Sequence, residues 1–275
     1  MLASDENARV IAGGQTLVPM MAMRLARPTR LIDISRIAEL SYVRVDGDTI
    51  SIGATTRQCL VERDALIAEK LPLLAKAIPF IGHAATRARG TIGGSLANGD
   101  PAAELPLIAV TLDADLEYRA SGRTEKIAAR DFYIGPMTTA LPGDAVLTSA
   151  RFPVWPGKVG IGFHEVNARR SDFAFVAAAA QVELDSGGKC KRIAIGVGAA
   201  TDFPIRLTDA EKRLAGSVLD APAVKKAVVE ALADIVPLSD LHASAEYRRR
   251  VAASLAARAV DDARSRASGK KIHAH

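Results

Sequence analysis

Two glycine pairs constrain this chain more than any other feature. One lies in Ile11-Ala12-Gly13-Gly14-Gln15-Thr16-Leu17 and the other in Gly90-Thr91-Ile92-Gly93-Gly94-Ser95-Leu96-Ala97-Asn98. Each pair is followed at once by a short polar residue. A Gly-Gly step lets main-chain N–H groups turn inward and approach a ligand closely, because no Cβ intrudes. Consecutive inward N–H groups make a cradle for anionic oxygen. Two cradles about eighty residues apart, Gly13 to Gly93, predict a fold that brings both hinges to the two phosphates of one dinucleotide, with amides from each closing around the diphosphate.

Neither string fits Gly-x-Gly-x-x-Gly or Gly-x-x-x-x-Gly-Lys-[Ser/Thr], so a Rossmann or Walker-type phosphate site is not supported. Taken singly, each Gly-Gly-polar step is equally an ordinary turn. The wider string Arg89 to Glu104 is more specific. It gathers glycines, small hydroxyls, the Asn98 amide, Asp100 and Glu104 into one stretch. Gly93-Gly94-Ser95-Leu96-Ala97 nearly matches a nucleophile elbow, but Arg87-Ala88-Arg89-Gly90 before it is a poor buried strand. Asp100 and Glu104 form either an acid/base pair or a cap on the helix that follows. His83 reads as a hydrogen-bonded loop residue, and His164, in Gly162-Phe163-His164-Glu165, as a residue on an alternating strand. His273 and His275 fall at a terminus expected to fray, over 267–275.

The 275 residues are 49% hydrophobic, enough for a sizeable core. Aromatics are only 4%, which argues against stacking of single-stranded nucleic acid. A net charge of +5 fits an anionic ligand or an acidic partner, and no nucleic-acid partner is expected. Cys59 and Cys190 are far apart and form no metal-spaced pair, which fits a reducing compartment without disulfide or metal site. The opening residues are polar and resemble no signal peptide, and the longest apolar run, Phe173–Ala180, is too short to span a membrane. A cytoplasmic location is expected.

Strands are predicted over 30–34, 41–45 and 49–52, the last two forming a hairpin on Asp46-Gly47. Helices follow over 57–69, with Pro72 as a break, and over 73–81. A helix over 105–112, a hairpin over 115–118 and 126–128, and a strand over 146–152 complete the first part. Val154-Trp155-Pro156-Gly157 is the best linker. Beyond it come strands over 173–184 and 192–197, then helices over 208–215, 223–235 and 245–264, with Asp220 and Pro222 at the start of the second.

Taken together and in order, these strings resemble a known family. The run from Ala12 to Met21, Leu31-Ile32-Asp33-Ile34 and Ile52-Gly53-Ala54-Thr55-Thr56 are similar to its N-terminal part. Ile81-Gly82-His83 and Arg89–Glu104 resemble its second cofactor loop. Phe163-x-Glu165-Val166, Arg169-Arg170 and Asp172-Phe173-Ala174 match its later signature, and Pro204-x-Arg206, Leu214-Ala215-Gly216 and Glu246-Tyr247-Arg248 its C-terminal domain. The family is the FAD-binding (medium) subunit of molybdenum hydroxylases, typified by aerobic carbon monoxide dehydrogenase and xanthine dehydrogenase.

The resemblance implies an α+β protein: a two-part FAD-binding domain of the vanillyl-alcohol-oxidase (PCMH) type over 1–153, divided into 1–37 and 38–153, and a C-terminal flavoprotein domain over 158–266. It implies FAD held by Ile11, Ala12, Gly13, Gly14, Gln15, Thr16 and Leu17 from one side. Thr91, Gly93, Gly94 and Ser95 would grip it from the other, with Asp100 and Glu104 close by and Glu104 toward the adenosine half. Ile81, Leu147, His164, Asp172 and Phe173 would lie about the flavin. His164 stands where the xanthine dehydrogenase branch carries Lys, and Ser95 where many relatives carry Asn. The family usually starts one helix and one strand earlier, so a small domain short of an edge strand is expected. The implied function is electron relay: FAD collects electrons from 2Fe-2S clusters in a small partner subunit, fed by a molybdopterin-binding large subunit, in a dimer of heterotrimers. A stand-alone flavin oxidoreductase, or an interaction subunit that has lost FAD, are the alternative readings.

Overall fold

The computed structural model describes residues 2–269; the histidines at 273 and 275 and most of the tail expected to fray lie outside them. The chain begins with two parallel strands, Ala8–Ile11 and Arg30–Asp33, paired Ala8 to Arg30 through Ile11 to Asp33. Parallel neighbours need a crossover. The first glycine string and the short helix Leu17–Ala22 supply it. Neither the first strand nor this helix was expected from local pattern.

A five-stranded antiparallel sheet follows, in the spatial order Val43–Asp46, Thr49–Gly53, Val146–Pro153, Asp115–Ala120, Arg123–Ala128. The first hairpin turns at Gly47, whose φ of +62° suits a residue without Cβ. Every regular element between Gly53 and Asp115 is a helix. Ile50, Ile52, Leu74, Ile92, Leu96, Ile108, Phe132 and Phe152 make the shared core. The single helix expected over 57–69 is two, Gln58–Arg63 and Ala65–Lys70. Asp64 breaks it: its backbone is extended and its Oδ1 accepts from the N–H of Leu66 at 2.8 Å and of Ile67 at 3.1 Å. The helix expected over 73–81 is Pro72–Ala77 followed by a 3-10 turn, Ile78–Phe80. Pro79 lacks the N–H needed to continue an α-helix.

The C-terminal region is a four-stranded antiparallel sheet, Val159–Val166, Val176–Leu184, Cys190–Gly198 and Ile205–Arg206, in that order. The strand expected from Phe173 starts only at Val176. Helices Thr208–Leu214, Ala221–Ala231 and Ala245–Ala267 cover one face. The Asp220 carboxylate caps the second of these, accepting from Ala223 N–H at 3.0 Å. The last helix approaches the first strand very closely. A Cβ on Gly160 or Gly162 would run into the carbonyl oxygens of Ala263 or Ala259. On the other face, Gly196 meets Thr111 and Leu107 of the helix Glu104–Thr111, all of whose residues are buried. That helix is clamped between the C-terminal sheet and the helices Pro72–Ala77 and Ile92–Asn98, which fixes its N-terminal residue, Glu104. Among the described residues no helix is long and apolar enough to cross a membrane.

Candidate functional site: a cleft between two glycine hinges

A cleft of about 560 Å³ runs between the N-terminal parallel pair and the helices of the middle region. Both glycine strings line it, and they touch. A Cβ on Gly13 would strike the Arg89 carbonyl and lie 2.9 Å from Gly90 Cα. A Cβ on Gly94 would lie 3.9 Å from the Ala12 methyl. The Arg57 guanidinium donates to the same Arg89 carbonyl from the side. Gly14, at φ +69°, turns the chain out of the strand Ala8–Ile11 and into the helix that begins at Leu17.

The two hinges are not equivalent. Among the described residues, the main-chain N–H groups of Ala12, Gly13, Gly14, Gln15 and Thr16 have no acceptor in the protein. Five consecutive open donors beside a cleft are an anion cradle. In the second hinge the amides are already committed. Ile92 N–H goes to Thr56 O at 3.0 Å, Gly93 to Ala54 O at 2.8 Å, Gly94 to Thr91 Oγ1 at 3.1 Å, and Ser95 to Thr91 O at 3.2 Å. The expectation that amides of both hinges close on one diphosphate is therefore corrected for the second. Gly93 is a glycine because any Cβ would collide with Ala54, not because its N–H faces a ligand. The second hinge instead offers the cleft the hydroxyls of Thr91 and Ser95 and a surface free of side chains at Gly94.

Ile81, Asp100, Glu104, Leu147, Asp172 and Phe173 also line the cleft, as does every expected residue of the two glycine strings. Arg87 holds the Ile81 segment in place. It is paired with Glu62 at 2.8 Å and donates to the carbonyls of Ile81 and Gly82 at 3.0 and 2.9 Å. Leu147 is buried, whereas Phe173 is 70% exposed on the loop that overhangs the cleft. His164 is not in the cleft lining. Its Nε2 lies 3.2 Å from Asp262 on the long C-terminal helix, near enough for an ion pair. Burial, followed by the charges of Arg258 and Arg266, outweighs that carboxylate and lowers the His164 pKa. Gly160, Gly162 and His164 share one strand face and the helix covers it; Phe163 and Glu165 take the other, with Phe163 4.9 Å from Phe80.

That other face carries a half-buried carboxyl, Glu165, which lies outside the cleft lining but near enough to Glu104 to feel its charge, and which the sequence did not single out as a ligand. Glu165 Oε1 accepts from Asn167 Nδ2 at 2.8 Å, and Asn167 also reaches the Asp172 carbonyl at 3.4 Å. Burial, then the Glu104 charge, lifts the Glu165 pKa to about 8. Burial, then the Asp100 charge, lifts Glu104 to about 7, against the pull of its own main-chain N–H and of Arg87. Asp100 is raised by burial against the Ala102 N–H. Carboxyls poised near neutrality can both donate and accept, which suits sugar hydroxyls. Asn98, noted in the Arg89–Glu104 stretch, lines the cleft too, as do Gln58, Thr86 and Ser171, which were not singled out from sequence. Gln58 gave no signal, since a lone Gln at the start of a helix has no motif around it. Among the described residues no three His, Cys, Asp or Glu side chains gather as a metal site.

An open-amide hinge, hydroxyls opposite and tunable carboxyls at one end define a cleft for an extended anionic dinucleotide. Comparison with known proteins agrees. Residues 1–155 match the FAD binding domain in molybdopterin dehydrogenase, and residues 162–263 the CO dehydrogenase flavoprotein C-terminal domain. The chain is 38% identical to the carbon monoxide dehydrogenase medium chain of Afipia carboxidovorans, over 95% of this chain and 91% of that one. It is 34% identical to the nicotine 6-hydroxylase medium subunit of Paenarthrobacter nicotinovorans, over 97% and 93%. Among solved structures, the Cu,Mo-CO dehydrogenase aligns with a TM-score of 0.92 at 38% identity, covering 95% of this chain and 91% of that one. Quinoline 2-oxidoreductase of Pseudomonas putida aligns with a TM-score of 0.91 at 33%, covering 97% and 92%. The chain belongs to the family of FAD-binding medium subunits of the molybdenum hydroxylases.

Proposed function

We propose that this chain binds FAD in the cleft and passes electrons from a partner chain to an external acceptor. The observation that carries the reading is the run of five open amides, Ala12 to Thr16, set against the Thr91–Ser95 hinge with no Cβ between them. Bound FAD would supply the redox chemistry through its isoalloxazine ring. The chain's own residues would bind and orient it. Ala12–Thr16 would donate to the diphosphate without needing a lysine. Thr91 and Ser95 would add hydroxyl donors, and Glu104, protonated in part at neutral pH, would take a sugar hydroxyl. Ile81 and Leu147 would exclude water, and Phe173 with Asp172 would shield the open edge.

Relatives of this length and identity are named as subunits of multi-chain dehydrogenases and hydroxylases. The partners proposed are a molybdopterin-binding large subunit and a 2Fe-2S small subunit, assembled as a dimer of heterotrimers in the cytoplasm. The units proposed to fold as domains are 1–153 and 158–266, joined at Val154–Gly157. The test is direct. Purified chain is expected to be yellow, or to become so on incubation with FAD. Protein that stays colourless, with the fold intact by circular dichroism, refutes the reading.

A further inference from the structure

Gln58 opens the helix Gln58–Arg63 directly behind the second hinge. It is 4% exposed, yet it lines the cleft. Its main-chain N–H donates to Gly90 O at 2.9 Å, which fixes the residue against the hinge. Its side-chain amide lies over Gly90: a Cβ there would be 2.6 Å from Gln58 Oε1. Gly90 is also the residue that Gly13 abuts. The amide therefore sits where the two hinges meet. Among the described residues, Oε1 is fully buried and has no hydrogen-bond partner.

A buried amide oxygen without a partner costs stability. Packing does not call for an amide here, since a methionine has nearly the same shape and no such cost. A ligand that hydrogen-bonds the amide would account for it. An amide has one donor end and one acceptor end. The diphosphate of a dinucleotide has only acceptors, and the sugar or pentitol beside it has hydroxyl donors. A group placed between the hinges meets both.

We infer that Gln58 is a direct binding residue for the cofactor, its amide hydrogen-bonded where the diphosphate joins the sugar-alcohol chain. This rests on the FAD reading and adds a ligand that neither glycine hinge provides. The residue works through the ligand, so its cost in the free protein and its contribution in the complex have opposite signs.

That opposition gives the experiment. Apo-protein of the wild type, Gln58→Met and Gln58→Glu is melted without ligand, then titrated with FAD, FMN and ADP. Gln58→Met is expected to melt at or above the wild-type temperature, while its Kd for FAD rises at least about tenfold, as for a lost buried hydrogen bond. Gln58→Glu keeps the oxygen but loses both N–H donors and adds a negative charge, so its FAD affinity is expected to fall further. FMN keeps the junction of sugar-alcohol chain and phosphate, so its affinity for Gln58→Met is expected to fall along with that of FAD, whereas ADP, which lacks that chain, is expected to change least. Gln58→Met with wild-type FAD affinity overturns the inference and leaves the FAD reading intact. So does a Gln58→Met apo-protein that melts well below wild type, because the amide is then structural. Wild-type protein that takes up neither FAD nor ADP overturns the FAD reading itself, and the inference with it.

Discussion

Substituting Gly13 by alanine tests the contact between the hinges with one methyl group. Gly13 does not need a positive φ, so alanine brings no backbone strain. The added Cβ has nowhere to go. It would strike the Arg89 carbonyl and stand 2.9 Å from Gly90 Cα and 3.1 Å from Arg89 C. Ordinary van der Waals contact begins near 3.4 Å. All three opposing atoms are backbone, and Arg89 is held further by the Arg57 guanidinium. Relief must come from parting the hinges, and overpacking of this kind costs about 1–3 kcal/mol. If that cost falls on the closed cleft, the Kd for FAD rises roughly 5- to 150-fold. Fluorescence titration of apo-protein with FAD measures the Kd, and the flavin-to-protein absorbance ratio after purification measures retention. Gly143→Ala is the control, because nothing lies within 4 Å of its Cβ and its φ is negative. Gly13→Ala with wild-type affinity and retention would refute the claim that the two hinges close on one ligand.

Other substitutions test the frame around the cleft. Gly162→Val would drive a branched side chain into the Ala259 carbonyl; a loss of about 3 kcal/mol or more is expected in urea unfolding, with loss of soluble protein as the extreme. Arg248 is 3% exposed, pairs with Asp240 at 2.6 Å and donates to the carbonyls of Ala199 and Phe175. Arg248→Met would leave both carbonyls without that donor, and a loss of about 3 kcal/mol is expected in the same assay. His164 has a folded pKa below its ordinary value, chiefly through burial. As pH falls through about 6.5, the unfolded chain takes up a proton that the folded chain resists, so its share of stability is present above that pH and lost below it. The melting temperature of wild type relative to His164→Gln is therefore expected to drop between pH 7 and pH 5; a constant difference would contradict the burial argument.

What could be read from sequence was what neighbours along the chain decide. Asp46-Gly47 makes its own turn, Asp220 caps the next three residues, and the Gly-Gly steps allow close approach wherever they fall. The strand Ala8–Ile11 escaped because four residues with one buried position carry no pattern, and its parallel partner begins more than twenty residues away. The Ile92 and Gly93 amides of the second hinge looked free for the same reason: their acceptors are Thr56 and Ala54, 36 and 39 residues upstream, so local sequence shows the donors and hides the partners, whereas Gly94 and Ser95 donate to nearby Thr91. Asp64 is different, since its cap lies within three residues and an Asp inside a run of helical spacing was already a signal to stop.

The strand bearing His164 marks where this boundary can be moved. Alternation says only that His164 and Glu165 face opposite ways; it does not say which faces the last helix. Yet Gly160 and Gly162 have the parity of His164. Two glycines on alternate positions of a strand leave a smooth face, and a smooth face is where a helix backbone can come closest. The Ala252, Ala256, Ala259 and Ala263 stripe of the last helix is the matching surface. The pairing of glycine parity with alanine spacing assigns His164 to the helix and Glu165 to the opposite face from sequence alone, and the observed approach of His164 Nε2 to Asp262 follows from it. A residue's role at this site was thus set less by its own chemistry than by the small residues two and four positions before it.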